Sequence, residues 1–224
     1  MYRTELIQAV IDRKKAKSYM EIGVCGGKNF YQVKCDRKVG VDPIPPDKKW
    51  VLPLLQKMGD KHHYYQMTSD EFFDGNADAE HFDVVFIDGL HTKEQAWVDF
   101  HNAMGVLKEN GVIIMHDCNP TDKAMQVVPQ KQKRWTGDVW KAWVVIRTMC
   151  HDADIAKTLC MQDDYGLGVV FIDGFVSPLD IDWLIIDECN TAMRELTYDY
   201  MDGMRNNLLG LVDEKKFLEA LKVI

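Results

Sequence analysis

The sequence feature that most constrains the fold is an apolar run, FDVVFID, at residues 82–88. Its β-branched and aromatic residues do not alternate with polar ones, so a strand formed here has both faces covered by other parts of the chain. Similar runs, such as SYMEIG (18–23) and GVIIMHD (111–117), are separated from it by stretches with helical spacing. This alternation predicts a parallel sheet with helices packed on both faces.

The order of these segments predicts an α/β fold built on a doubly wound, mostly parallel, seven-stranded sheet. Four further strands are expected at residues 38–42, 63–67, 154–161 and 167–172. Residues 1–175 then form one domain. Residues 176–224 are mostly helical in pattern and too short to build a core alone, so we expect a C-terminal helical extension packed on that domain.

Composition argues against several classes of function. The net charge is −8, and the excess of acids falls mainly after residue 150, which disfavours a protein that binds nucleic acid through a basic surface. No apolar run approaches the ~20 residues of a membrane span, and the N-terminal stretch lacks the apolar core of a signal peptide. The six cysteines form no C-x-x-C pair. We therefore expect a cytoplasmic protein with reduced thiols, bound to neither membrane nor nucleic acid.

Polar residues or glycines follow the predicted ends of five strands. Because parallel strands place their carboxyl ends at one edge of a sheet, these residues are expected to line a single cleft. In chain order they are Glu21, Gly23, Gly26 and Gly27; Asp42; Thr68, Ser69 and Asp70; Asp88, Gly89 and His91; and His116, Asp117, Cys118 and Asn119.

The long segment after the fifth strand, residues 118–138, leaves the sheet at the same edge. A loop of this length is uncommon in a compact α/β domain and is usually functional. We expect a lid or substrate loop, with an ornamental surface insertion as the alternative. The basic stretch KQKRW (131–135) within it is typical of a solvated loop.

The glycine-rich turn in YMEIGVCGG (19–27) predicts close approach of a ligand to the backbone. It departs from the dinucleotide fingerprint G-x-G-x-x-G, because Cys25 stands in place of the second glycine. Glu21 at the end of the strand disfavours a pyrophosphate and suits a cationic or hydroxyl-bearing ligand. Asp42, at the end of the next strand, can accept hydrogen bonds from both hydroxyls of a ribose.

A cationic amino-acid head, a ribose and an adenine together describe S-adenosylmethionine (SAM). On these residues the chain resembles class I SAM-dependent methyltransferases: YMEIGVCGG resembles their glycine-rich first motif, VGVD (39–42) their ribose-binding acidic position and QMTSDEFF (66–73) their adenine-side segment. FDVVFIDGLHTKEQAWVDF and LKENGVIIMHDCNP resemble the Methyltransf-24 family, which WTGDVWKAW and DYGLGVVFI also fit. The resemblance covers residues 15–175.

The resemblance implies a Rossmann-like methyltransferase fold with SAM as the cofactor. Gly23 and its turn would carry the methionine part of SAM, and Asp42 would hold the ribose. Asp88 would sit under the methionine amine or at a metal ion. The cofactor-binding residues implied in this way are Glu21, Gly23, Gly26, Asp42, Ser69, Asp70 and Asp88.

Methyl transfer to a hydroxyl requires a base that is effective near neutral pH, and histidine is the usual choice. His91 lies three residues past Asp88, just beyond the strand, so its ring can reach the cleft. The resemblance also implies that His91 faces the methyl-transfer site. We expect His91 to be the general base and Asp88 the second catalytic residue, with a capping or structural histidine as the alternative.

A metal ion is a further hypothesis for this edge of the sheet. Asp88 and Asp117, with His116 or Asn119, follow neighbouring strands, and carboxylate oxygens suit Mg²⁺. The ion could bind a vicinal diol and lower the pKa of the acceptor. Some catechol and sugar O-methyltransferases of this fold resemble that arrangement, although Cys118 stands where an Asn often follows the Asp. A metal-free reaction is the alternative.

The methyl acceptor stays open at this point. A hydroxyl of a small molecule or sugar is the first expectation, and N-methylation is an alternative. From a different class, the chain would be a SAM-binding module without catalysis, with its C-terminal helices as a docking surface. An NAD-dependent oxidoreductase is the last alternative. The amphipathic C-terminal segment makes a homodimer a candidate assembly.

Overall fold

The computed structural model describes residues 1–76, 81–174 and 184–223. Within them, eight strands join one sheet. The strands are β1 (Ser18–Ile22), β2 (Arg37–Val41), β3 (His62–Tyr65), β4 (Phe82–Ile87), β5 (Leu107–Met115), β6 (Ala156–Met161), β7 (Leu167–Ile172) and β8 (Leu211–Val212). Their order across the sheet is β3-β2-β1-β4-β5-β7-β6-β8.

Helices fill most of the connections between the strands. They are α1 (Arg3–Lys14), α2 (Lys28–Gln32), α3 (Val51–Met58), α4 (Ser69–Asn76), α5 (Lys93–Gly105), α6 (Val139–Asp152), α7 (Leu184–Glu195), α8 (Tyr198–Gly203), α9 (Arg205–Leu209) and α10 (Glu214–Lys222). A short 3₁₀ helix, Gly59–Lys61, precedes β3. None of the helices in the described ranges is long and apolar enough to cross a membrane.

The prediction of a doubly wound, mostly parallel α/β sheet is confirmed. Strands β3, β2, β1, β4 and β5 run parallel to one another. Only β7 runs against the strands on either side of it, β5 and β6. The strand order reverses beside β1, so the ends of β1 and β4 open a crevice at the carboxyl edge, where open α/β sheets bind ligands.

The predicted number of seven strands is wrong by one. The eighth strand is β8, which pairs in parallel with Cys160 and Met161 of β6. It falls in the stretch predicted to be mostly helical. Two residues carry no periodicity that a sequence could reveal, and the strand forms because the edge of β6 offers free backbone partners.

Burial on both faces explains the unbroken apolar run in β4. Val85 and Ile87 pack into one hydrophobic cluster with α5 and α6, including the fully buried rings of Trp140 and Trp143. Val84 and Phe86 point the other way, into a second cluster built with α1, α2 and α10. Successive side chains of a strand face opposite sides, so burial on both sides favours an apolar residue at each of the positions 84–87.

The C-terminal segments contact the sheet and its helices at several places. The indole N–H of Trp143 donates to the carbonyl of Leu209, 2.9 Å away. Phe217 of α10 is buried in the cluster around α1, and Arg13 of α1 donates to the carbonyl of Leu221. The predicted domain boundary between residues 175 and 176 lies outside the described residues.

Candidate functional site

A cavity of about 1130 Å³ opens at the carboxyl edge, above the ends of β1, β2, β4 and β5. Its glycine-turn side comprises Gly23, Cys25, Asp42, Ser69 and Asp70. Its histidine side comprises Arg3, Asp88, His91, His116 and Asp117. The structure thus brings residues from strand ends far apart in the sequence to one cavity, as the parallel sheet predicts.

The turn after β1 uses its glycines mainly for packing within the protein. Gly23 has φ +84°, and a Cβ there would lie 2.0 Å from the carbonyl oxygen of Asp88. Gly27 has φ +74°, and a Cβ there would lie 2.2 Å from a methyl group of Val51. Gly26 has open space around its Cβ position but does not line the cavity. Close backbone packing therefore explains two of these glycines without any ligand.

Asp42 presents a fixed carboxylate on the glycine-turn side. Its Oδ2 accepts a hydrogen bond from the backbone N–H of Cys25 at 2.6 Å, and its Oδ1 accepts one from Ile44 at 2.8 Å. The residue is only 5% exposed and lines the cavity. Each oxygen keeps lone-pair capacity for a further donor, so the carboxylate can still accept from a ligand hydroxyl.

Glu21 lies beneath the turn and does not line the cavity. It is 1% exposed, and its Oε2 accepts from the Tyr19 hydroxyl at 2.6 Å and from Asn29 Nδ2 at 3.0 Å. Burial raises the pKa of Glu21 to about 8, a larger effect than the opposing hydrogen bond from Tyr19. The side chain predicted to meet a ligand is instead a buried carboxyl group that favours its neutral form.

Ser69 and Asp70 line the cavity at the first turn of α4. Gln95 connects them to α5, since its amide donates to Asp70 Oδ1 at 2.9 Å and to Asp99 Oδ1 at 3.1 Å. Asp99 lies behind them, and burial raises its pKa to about 6. This group gives the glycine-turn side both donors and acceptors for a planar ring.

Asp88 is the centre of a charged network on the histidine side. Its Oδ2 lies 2.5 Å from Arg3 Nη1, and its Oδ1 lies 3.1 Å from His116 Nδ1 and 3.4 Å from His91 Nε2. Burial would raise the pKa of Asp88, but the positive charges of His116 and Arg3 hold it well below its usual range. The carboxylate is therefore ionised and held by three partners.

His91 lines the cavity and follows directly from the end of β4. Its Nδ1 lies 3.3 Å from the carbonyl oxygen of Trp135 and 3.1 Å from Asp117 Oδ2. The imidazole stacks on the Trp135 ring, with centroids 5.2 Å apart and planes inclined by 24°. Burial lowers the pKa of His91, but Asp88 and Asp117 outweigh it, so the pKa is raised. The next residue, Thr92, caps the N-terminus of α5 and so fixes the backbone beside His91.

His116 and Asp117 are buried at the end of β5. His116 is 4% exposed, with Nδ1 3.2 Å from Asp117 Oδ1 and Nε2 3.7 Å from Asp164. Burial opposes protonation, yet Asp88 and Asp117 raise the pKa of His116 well above its usual value. Asp117 has φ +63°, a strained conformation for a residue with a side chain.

Sequence reasoning missed Arg3 and Asp164 as site residues. Arg3 begins α1, and its guanidinium donates to Asp164 through Nε at 2.9 Å and Nη2 at 3.1 Å. Asp164 belongs to the turn between β6 and β7, which packs against the end of β5 through Asn119 N–H donating to the Tyr165 carbonyl. Asp164 begins the segment DYGLGVVFI (164–172), which resembles the methyltransferase family. No local sequence signal marks Arg3 as a partner of Asp88 or Asp164.

Three side chains could offer ligand atoms to a metal ion. One atom each of Asp88, His116 and Asp117 lies within 4.8 Å of the others. Asn119, the other candidate, is turned away, because it donates to the Gln162 carbonyl and accepts from Arg205. A cation here would compete with Arg3 and with the proton on His116, so the donor set fits a divalent ion poorly.

The long segment after β5 covers part of the cavity. Its backbone folds back on itself through Thr136 N–H donating to the Met125 carbonyl, and the Trp135 indole donates to the Val127 carbonyl at 2.7 Å. Lys133, Arg134 and Trp135 line the cavity. Trp140 and Trp143 do not, since both are core residues.

Comparison with known families finds one match. Residues 20–118 match the family described as a methyltransferase domain. This range contains most of β1, all of β2 to β5, and both sides of the cavity apart from Arg3. No curated protein matches the sequence.

Solved structures that match this fold include several methyltransferases. An O-methyltransferase from Bacillus cereus in complex with SAH has a TM-score of 0.57 at 15% identity, covering 75% of this chain and 80% of that chain. The O-methyltransferase TomG from Streptomyces achromogenes, in complex with SAM, gives 0.54 at 14%, covering 77% and 80%. SAH-bound PaMTH1 from Podospora anserina gives 0.55 at 16%, covering 75% and 76%. At these identities the likeness shows the fold alone.

Proposed function

We propose that this chain, which belongs to the class I SAM-dependent methyltransferases, transfers a methyl group from SAM to a hydroxyl of a small molecule or sugar. The observation that carries the proposal is the position of His91. It lines the same cavity as the Asp42 carboxylate, and two further carboxylates, Asp88 and Asp117, lie within 3.4 Å of its ring nitrogens.

The glycine-turn side fits the cofactor. Asp42 offers acceptors to the ribose hydroxyls, and Ser69, Asp70 and Gln95 offer donors and acceptors near a base. The ionised Asp88 suits the positive charge of a methionine head. When bound, SAM supplies a methyl group on a positively charged sulfur, and what this chain must add is alignment and removal of a proton.

His91 is proposed to remove the proton from the acceptor hydroxyl. The Trp135 carbonyl and the Asp117 carboxylate can only accept hydrogen bonds, so they keep a proton on Nδ1. Nε2, beside Asp88, is then the atom that must lose its proton before His91 can act as a base. Asp88, beside Nε2, stabilises the imidazolium that forms, and the stacked Trp135 ring limits rotation of the imidazole. His91 and Asp88 are therefore proposed as the catalytic pair.

A His91→Gln variant tests the role of His91 as base. We expect kcat to fall by roughly 10²–10⁴-fold at neutral pH, the usual contribution of a general base. The affinity for SAH, measured by calorimetry, should change little. His151→Gln, an exposed histidine far from the cavity, is the matched control. Near-full turnover in His91→Gln would remove this residue from the mechanism.

The pH profile gives a second readout of the same role. The pKa of His91 is raised, and the base must be unprotonated. Activity should therefore rise with pH through a value above the ordinary ~6.5 of histidine. In His91→Gln this limb should disappear, while a profile unchanged by the substitution would assign the limb to another group.

Mg²⁺ is not required by this proposal. Arg3 and the protonated His116 already balance the carboxylates that would hold the ion. We expect activity to survive prolonged EDTA treatment, and a loss restored by Mg²⁺ would reassign Asp88 and Asp117 as metal ligands.

The raised pKa of His91 also favours a second candidate, a SAM-binding module without catalysis. An imidazole that stays protonated near neutral pH cannot act as a base. SAH binding without methyl transfer to any acceptor, even when the pH is raised until the imidazole loses its proton, would support that alternative.

A further inference from the structure

Two positively charged side chains at the rim of the cavity, Lys133 and Arg134, are not part of the charged network around Asp88. Lys133 and Arg134 are exposed, line the cavity and come directly before Trp135. Among the residues that the structure describes, no carboxylate forms an ion pair with either of them. They lie on a chain with 35 acids and a net charge of −8.

Arg3, the third lysine or arginine that lines the cavity, is paired, and so are three cations that do not line it. Arg3 contacts Asp88 and Asp164. Lys93 contacts Asp138 at 3.3 Å, Lys123 contacts Asp199, and Arg205 contacts Asp202. In a protein with an excess of acids, two unpaired cations side by side at a cavity mouth form a local positive field directed at a ligand.

The position of these cations relative to His91 is fixed by the fold. Trp135 stacks on the His91 ring and is anchored through its indole N–H. Thr136 anchors the backbone on the far side through Met125. Lys133 and Arg134 are therefore held two residues and one residue, respectively, from the stacked ring of Trp135, at the outer end of the cavity.

The interior of the cavity has the opposite character. Asp42, Asp88 and Asp117 are largely buried and line it, and Arg3 is already engaged by two carboxylates. An anionic group on an acceptor would find no unpaired arginine or lysine inside but two at the rim. An acceptor bound with its hydroxyl at His91 would place such a group at Lys133 and Arg134.

We propose that the methyl acceptor is an anion: a hydroxylated small molecule whose carboxylate or phosphate is bound by Lys133 and Arg134. This inference rests on the proposed O-methyl transfer and names the class of its substrate. The rim cations select the acceptor and take no part in the transfer itself.

The test uses pairs of probes that differ only by an anionic group. Catechol and 3,4-dihydroxybenzoate test a carboxylate, and glucose and glucose 6-phosphate test a phosphate. We expect the wild-type protein to methylate at least one anionic member with kcat/KM about tenfold above its neutral partner, the size expected of two exposed ion contacts. The preference should shrink as salt is raised.

A charge-reversal variant, Lys133→Glu with Arg134→Glu, should abolish or invert that ratio. Lys131→Glu is the matched control, because Lys131 is exposed on the same segment but does not line the cavity; it should keep the wild-type ratio. The inference would be overturned if the wild-type protein preferred the neutral member of both pairs, or if the ratio of kcat/KM values did not change in the double variant. O-methyl transfer would stand in either case.

Calorimetry of the SAH-loaded protein separates the two proposals. If SAH binds but none of the probes is methylated, the result counts against the proposed function for these acceptors. The same probes are then titrated as ligands. Tighter binding of an anionic member, lost in the charge-reversal variant, would support the rim site; equal or absent binding of both members would overturn it.

Discussion

On the glycine-turn side of the cavity, Asp42 is held by backbone N–H groups of Cys25 and Ile44, which lie 17 and 2 residues away in the chain. On the histidine side, Asp88 is held by Arg3 and His116, which lie 85 and 28 residues away in the chain. One side is fixed by turn geometry and close backbone packing, the other by attraction between charges from separate elements.

This difference predicts different sensitivities. Close backbone packing is destabilised when atoms are added, because a well-packed interior has no room for them. A charge network fails when a partner is removed or titrated, because an uncompensated charge stays buried. The two sides should therefore respond to different substitutions and to different changes of pH.

Gly23→Ala should give the largest effect. The added Cβ would overlap the Asp88 carbonyl oxygen, and alanine is strained at φ +84°. We expect the free energy of unfolding to fall by at least about 3 kcal/mol, measured by thermal or denaturant unfolding.

Gly26→Ala is the control for that prediction. Its Cβ meets no atom within 4 Å, so stability should stay within about 0.5 kcal/mol of the wild type. Equal destabilisation by both substitutions would show that the close approach between Gly23 and the backbone of Asp88 does not require a glycine.

Glu21→Gln should change the free energy of unfolding by an intermediate amount, and should raise it where Gly23→Ala lowers it. The buried carboxyl of Glu21 is neutral in the folded protein at pH 7, whereas it ionises on unfolding. Glutamine can still accept the hydrogen bonds from Tyr19 and Asn29. We expect stability at pH 7 to rise by about 2–3 kcal/mol, measured by denaturant unfolding.

The pH dependence gives the sign of that effect. The pKa of Glu21 is raised from 4.5 to about 8 on folding, so wild-type stability is full below the lower value and is lost as pH rises through the upper one. The advantage of the variant should vanish near pH 4. A loss of SAH affinity in Glu21→Gln would instead return Glu21 to the cofactor-binding residues.

Arg3→Gln should give the smallest change in stability. The guanidinium is partly exposed, at 28%, so its loss should lower the free energy of unfolding by about 1–2 kcal/mol. It should also reduce kcat several-fold, because Asp88 loses the partner that helps to hold its carboxylate in place beside His91. The control is Lys17→Gln, which removes an exposed ion pair with Asp36 and should change neither quantity. Identical behaviour of the two variants would contradict the network.

Residues at strand ends were predictable because the apolar runs locate the strands and a parallel sheet aligns their ends. Asp42, Asp88 and His91 reach the cavity for that reason. Glu21 does not, because its side chain faces the other side of β1, towards Tyr19 and Asn29. A strand that is buried on both faces carries no alternation to show which way one residue points.

The sequence by itself determined the parallel sheet, the edge at which the cavity opens and the strand ends that line it, because these follow from local hydrophobic pattern and chain direction. Only the tertiary structure decided that Arg3, Asp88, His116 and Asp164 share one network, that β8 extends the sheet and that Lys133 and Arg134 stand at the rim. Those outcomes depend on contacts between distant segments, and the free energy of such contacts leaves no periodic trace in the chain.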